Sequence, residues 1–236
     1  RTADGAAATA GSRIRTLYGD FLASQKEEKR LDEAVKSLRT SNAANESALR
    51  RSIREVDAAV IERLAAEVKR KKEAYKPLFD GYTLLNKQIS AARSLGNKEL
   101  NALLRMQANA MKLKVELARA DIRLQESKLK DARAAAAAKI KELRAMLDVL
   151  GTHKSAIQAL KETASRLNKR KSAEWSVLNE RVRKGDVAGT SSSLAALLSA
   201  SRGIADAKGG IQRRETSIAD QLRKTETRLA ALLAPA

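Results

Sequence analysis

From Ile14 to Leu233 the apolar residues of this chain recur at steps of three and four, and its only two prolines are Pro77 and Pro235. Such spacing stacks apolar side chains on one face of successive helical turns. A run this long with so few breakers leaves room for little except helix. The side chains available for a core narrow the choice further. Aromatics make up 3% of the residues, and Ala, Leu, Lys, Arg and Glu dominate, which is the composition of long helices. Ala and Leu cannot fill a thick core, but they can fill the seam between two or three close helices. The sequence therefore predicts an all-α protein, an elongated antiparallel helical bundle or coiled coil of three to five long helices.

The pattern can be divided along the chain. Residues 1–11 are small and unpatterned and read as a disordered tail. Residues 12–233 read as a single elongated bundle, with helices at about 12–39, 42–94, 98–150, 153–184 and 193–233. Thr40, Ser41 and Asn42 are cap-type residues and mark a turn, although the seam also runs through them, so that the first two helices can equally be continuous. Pro77 removes one helical hydrogen bond, yet Tyr75, Phe79 and Tyr82 keep helical spacing across it. A kinked helix continuing to Ser94 is expected. Leu95-Gly96-Asn97 reads as a tight turn with Gly96 in the left-handed position. Gly151-Thr152 is the next candidate break, and Lys184 to Ser193 the clearest loop. Pro235 stops the last helix, in which Gly203, Gly209 and Gly210 permit close approach to a neighbour. Segments 42–94 and 98–150 match in length and would form an antiparallel hairpin of roughly 80 Å.

Charge is the strongest functional signal. Lys and Arg total 47 against 28 acidic residues, for a net +19. The excess is spread evenly: 17 basic and 12 acidic residues in 1–76, 14 and 8 in 77–150, 16 and 8 in 151–236. An even excess makes a positive surface rather than a basic tail. The partners it predicts are polyanions, either an anionic cell-envelope polymer or an anionic membrane surface, with nucleic acid as the alternative. Candidate contacts are Lys69, Arg70, Lys71 and Lys72; Lys169, Arg170 and Lys171; and Arg181, Arg183 and Lys184, with Arg213-Arg214 a shorter tract. Consecutive cations on a helix point in all directions, so each tract taken alone also reads as a solvated turn. Tyr75, Phe79 and Tyr82 form an aromatic stripe beside the first tract, and Trp175 follows the second. At helical spacing the stripe reads as core.

Catalytic patterns are not found. His153 is the only histidine and the chain has no cysteine, so thiolate metal sites and a Cys–His pair are excluded. No nucleophile elbow, EF-hand or Walker loop occurs, and Gly209-Gly210 lacks the Lys and Ser or Thr of a phosphate loop. No enzyme activity, metal or cofactor is expected.

Two resemblances follow from these residues. The stretch Arg70-Lys71-Lys72-Glu73-Ala74-Tyr75-Lys76-Pro77-Leu78-Phe79-Asp80-Gly81-Tyr82, the early Glu/Lys-rich helix near Gln25–Leu31 and the long helix after Gly185 together resemble the helical cell-wall-binding lipoproteins of Gram-positive bacteria. That resemblance covers most of the chain through pattern, without a signature motif. It implies an extracytoplasmic, membrane-tethered bundle with a wall-associated role and no catalytic residues. The chain departs from it in lacking the lipid-bearing cysteine, which places any anchor upstream of Arg1, and in its strong positive charge. Length, a kinked helix and charge also resemble BAR-type membrane-bending bundles and phage-shock-type hairpins, which act on anionic lipid. The expectation is an extracytoplasmic structural or binding protein, with a homodimer among its possible assemblies. The alternatives are a cytoplasmic nucleic-acid-associated protein and a scaffold subunit of a larger complex.

Overall fold

The computed structural model describes residues 2–234, with side chains from Thr9 onward. Five α-helices account for nearly all of them: α1 Thr2–Arg54, α2 Ala58–Ser94, α3 Lys98–Asp148, α4 Leu150–Arg183 and α5 Val187–Leu233. No strand occurs among the described residues, and the all-α expectation holds. The chain resolves into two compact units, residues 54–142 and residues 1–53 with 143–236.

The unit of residues 54–142 is a two-helix hairpin of α2 and most of α3. Its tip is the turn expected at Leu95-Gly96-Asn97, with Gly96 at φ 70°. There the Asn97 side chain accepts a hydrogen bond from the Leu100 N–H at 3.0 Å, and the Asn101 amide donates to the Ile89 carbonyl at 2.9 Å. Pro77 lies inside α2, which continues through it. The seam is thin. Val56, Val68, Ala92, Ala108, Val115, Ala118, Ile122 and Ala136 are its buried apolar residues. At its middle, Tyr75 and the Lys71 ammonium both donate to Asp121.

The second unit joins α1, α4, α5 and the last residues of α3. Paired residues fix the helix directions. Glu28 meets Ser201 and Asn42 meets Glu215, so α1 and α5 run parallel. Glu46 meets Lys154 and Glu28 meets Lys171, so α4 is antiparallel to α1. Helix α5 is the most enclosed, with Leu197, Ile204, Ile211, Ile218, Leu222 and Leu229 buried at steps of four and seven. Two of its glycines do what the sequence suggested. A methyl group added to Gly203 would lie 2.9 Å from Leu167 Cδ1, and one on Gly210 would lie 3.0 Å from Leu160 Cδ1. Leucines seven residues apart on α4 thus seat on glycines seven residues apart on α5. Gly209 faces only Arg213 of its own helix.

Three local expectations are corrected, and one left open is decided. The supposed tail is helical from Thr2 (Arg1 and Pro235 lie outside the described residues). Of the two readings of Thr40–Asn42 the continuous helix is found: Asn42 is buried and bonded to α5 rather than capping a helix. The interruption comes instead at Glu55–Asp57, where Asp57 takes the left-handed conformation, φ 56°. Aspartate tolerates that region better than most residues, and Lys139 Nζ holds its carboxylate at 2.8 Å. The loop expected to reach Ser193 ends at Asp186, which caps α5 by accepting from the Gly189 N–H at 2.8 Å. At Val149, between α3 and α4, the backbone stays right-handed (φ −57°, ψ −27°), so Gly151-Thr152 is no break.

Replacing Gly203 by Leu is expected to lower stability by about 2 kcal/mol through overpacking, whereas the same change at Gly209 costs less. Thermal unfolding followed by circular dichroism separates the two. Asp121 is held below the usual carboxylate range, chiefly by the hydrogen bond from Lys71 and then by that from Tyr75. A depressed carboxylate contributes stability above its unfolded pKa and loses it as pH falls through the folded value. Melting temperature should therefore fall less steeply on acidification in Asp121→Asn than in the parent.

Candidate functional site

The polar residues of the second unit divide into an inner set and a groove. The inner set centres on Glu28, which faces α4 and α5 from α1. Its carboxylate accepts from the Ser201 hydroxyl and from Lys171 Nζ at 3.0 Å, with Lys208 Nζ at 3.8 Å. Two heptads along, Asn42 Nδ2 donates to the Glu215 carboxylate and to its carbonyl, each at 2.8 Å. A buried carboxylate is tolerated when it is paired or hydrogen-bonded: Glu28 has both kinds of partner, and Glu215 accepts from the Asn42 amide.

Beside this set, α1, α4 and α5 leave an open groove of about 680 Å³, lined by Asp32, Val35, Lys161, Ser165, Lys169 and Lys208 among others. A second concavity continues it along α1 and α4 with Arg39, Glu46, Lys154, Gln158 and Lys161. The groove exists because α4 carries polar residues at helical steps beside its apolar seam: Lys154, Gln158, Lys161, Ser165, Asn168, Lys169 and Ser172. Not all its cations are available. Lys154 is held by Glu46 at 2.7 Å, and Lys208 by Asp32 at 2.7 Å. Burial of Glu46 raises its pKa, but hydrogen bonds from Lys154 and Arg50 outweigh that and hold it below the usual range. Arg39, Lys161 and Lys169 take part in none of the ion pairs among the described residues. Lys161 and Lys169 are eight residues apart, about 12 Å along the axis. Three uncommitted cations with Ser165, Asn168 and Ser172 can bind anionic oxygens by charge and by hydroxyl and amide donors.

The tracts singled out in the sequence are dispersed. Lys71 is paired with Asp121 and Lys72 with Glu126, while Lys69 is 3.9 Å from Glu73. Lys171 turns inward to Glu28. Arg181 Nη1 donates to the Gly189 carbonyl and the Ser193 hydroxyl, both at 2.9 Å, tying α4 to the start of α5. Lys184 pairs with Glu180. Arg70, Lys169, Arg170 and Arg183 remain exposed and outside the ion pairs, and of these Lys169 lines the groove. Tyr75, Phe79 and Tyr82 are half-buried in the hairpin, with Tyr75 and Phe79 at 6.4 Å and Arg119 6.0 Å from the Phe79 ring. Trp175 stacks on Phe21 at 5.9 Å. His153 sits within the first turns of α4, with its Nδ1 shielded and unbonded. No group of His, Cys, Asp and Glu residues able to hold a metal ion occurs among the described residues, and no described helix is long and apolar enough to cross a membrane. Sequence reading missed Arg39 and Lys161, since neither stands in a tract. The available signal was the heptad step from Lys154 to Lys161.

Comparison of the chain with protein-family models, with curated proteins and with solved structures finds no match.

Replacing Glu28 by Ala should cost about 3 kcal/mol, because Lys171 and Lys208 would lose a buried partner. Replacing Lys169 by Ala should leave unfolding within about 0.5 kcal/mol of the parent. Chemical denaturation of the two variants tests both expectations.

Proposed function

We propose that this chain is a non-catalytic structural or binding protein that engages an anionic polymer of the cell envelope, outside the cytoplasm, through a basic helical surface. The observation that carries the reading is the groove, where Arg39, Lys161 and Lys169 stand uncommitted among hydroxyl and amide donors. The remaining charge supports it. Residues 54–142 carry 20 basic and 12 acidic side chains and the rest of the chain 27 and 16, so each unit taken by itself attracts polyanions. The lining also bears on the kind of polymer. Single-stranded nucleic acid is usually held by bases stacked on aromatic rings, and the groove lining contains none. A phosphate- or carboxylate-bearing polymer without bases needs only the donors that are there. The resemblance to wall-binding lipoproteins points the same way.

Co-sedimentation with purified Gram-positive walls, before and after removal of teichoic acid, tests the reading. Binding to intact walls should weaken with salt, fall on stripping, and drop roughly tenfold or more when Lys161 and Lys169 are both changed to Glu. Binding that survives stripping and the double substitution would overturn it, as would failure to pellet at low salt.

A further inference from the structure

Helix α3 carries two heptad seams. The inner one packs against α2, with Leu104, Ala108, Met111, Val115, Ala118 and Ile122 buried or half-buried. The outer one lies two residues further at each step: Leu103, Met106, Ala110, Leu113, Leu117, Ala120 and Leu124, all exposed. A two-residue offset turns a helix by about 200°, so the outer seam is on the opposite face. Leu113 is 64% exposed and Leu117 62%. Isolated apolar residues on a surface need no explanation, but an unbroken a/d repeat over three heptads is the mark of a coiled-coil partner. The outer face of α2, with Glu73, Asp80 and Lys87, has no such stripe.

We propose that the outer seam of α3 is a self-association surface, pairing with the same seam of a second copy in antiparallel orientation. The residue sizes and charges select that occupant. In the register that sets Leu103 against Ala120 of the second copy, Met106 meets Leu117 and Ala110 meets Leu113, so from Leu103 to Ala120 each alanine opposes a leucine and no layer is left hollow, while Leu124 falls opposite Glu99 at the edge of the contact. The flanking positions then pair Asn109 with Glu116, Gln107 with Lys114 and Ala102 with Arg123, free of like charges. The parallel alternative stacks Ala110 on Ala110 and Ala120 on Ala120, leaving voids. It also opposes Glu116 to Asp121 and Arg123 to Lys128, two like-charged contacts. The antiparallel pair is isologous and closed, so it stops at two copies.

Sedimentation equilibrium of the full chain should give twice the 25.6 kDa of one copy. Changing both Leu113 and Leu117 to Glu should halve that mass while leaving the helical circular dichroism unchanged, since both are outward-facing. Orientation is read by disulfide capture, which the cysteine-free chain permits. Ala110→Cys and Leu113→Cys, mixed and mildly oxidised, should give a covalent dimer that neither forms alone. Dimers from either variant alone would overturn the antiparallel arrangement. A single-copy mass at all concentrations would overturn self-association altogether, and loss of vesicle binding in the Leu113/Leu117 variant would then assign the seam to anionic lipid.

Discussion

With 3% aromatic residues, this chain can enclose apolar surface only by bringing helices close together. The contact of Leu160 and Leu167 with Gly210 and Gly203 shows how the limit is met. Removing the β-carbon on α5 gives each α4 leucine a socket, and the layer between the helices becomes one side chain thick. Dispersion energy depends steeply on separation, so a thin layer stabilises only if it has no gaps. The hairpin follows the same rule with Ala108, Ala118 and Ala136 at its seam.

A thin, repetitive seam has a weakness. Sliding one helix past another by a heptad changes apolar burial little, so alternative alignments compete. The inner polar residues break that degeneracy. Asn42 finds both its acceptors at Glu215, and Glu28 finds Ser201 fourteen residues earlier on both helices. In an alignment slipped by one heptad toward the start of α5, Glu28 would lie buried opposite Leu194, at a cost of several kcal/mol. Alignment is thus set by few groups, while most of the stabilisation comes from many interchangeable ones.

The same division explains what could be read in advance. The three-and-four spacing and the glycine turn at Gly96 follow from local rules, and they gave the helical class, the hairpin tip and the close approach at Gly203 and Gly210. Asn42 was ambiguous because an amide suits a helix cap and a buried clamp equally well, and only its partner 173 residues away distinguishes them. Asp57, which does interrupt the helix, carries no sequence signal that sets it apart from other aspartates. The groove was illegible for a related reason. Adjacent cations look like a site in a linear string, but folding turns Lys171 inward and Lys169 outward, and it brings Arg39 of α1, distant along the chain, alongside Lys161 and Lys169 of α4.

The parallel pairing of α1 with α5 also bears on how the protein is made. A chain growing at about 5–20 residues per second leaves α1 waiting roughly 10–35 s for the segment that covers it. During that interval Phe21, Leu31 and Leu49 face water or one another, and other nascent chains are close by. From Arg13 to Arg54 this helix carries ten basic and six acidic residues, and a net charge of one sign opposes the association of such copies. The charge of α1 thus acts on the chain before the fold is complete.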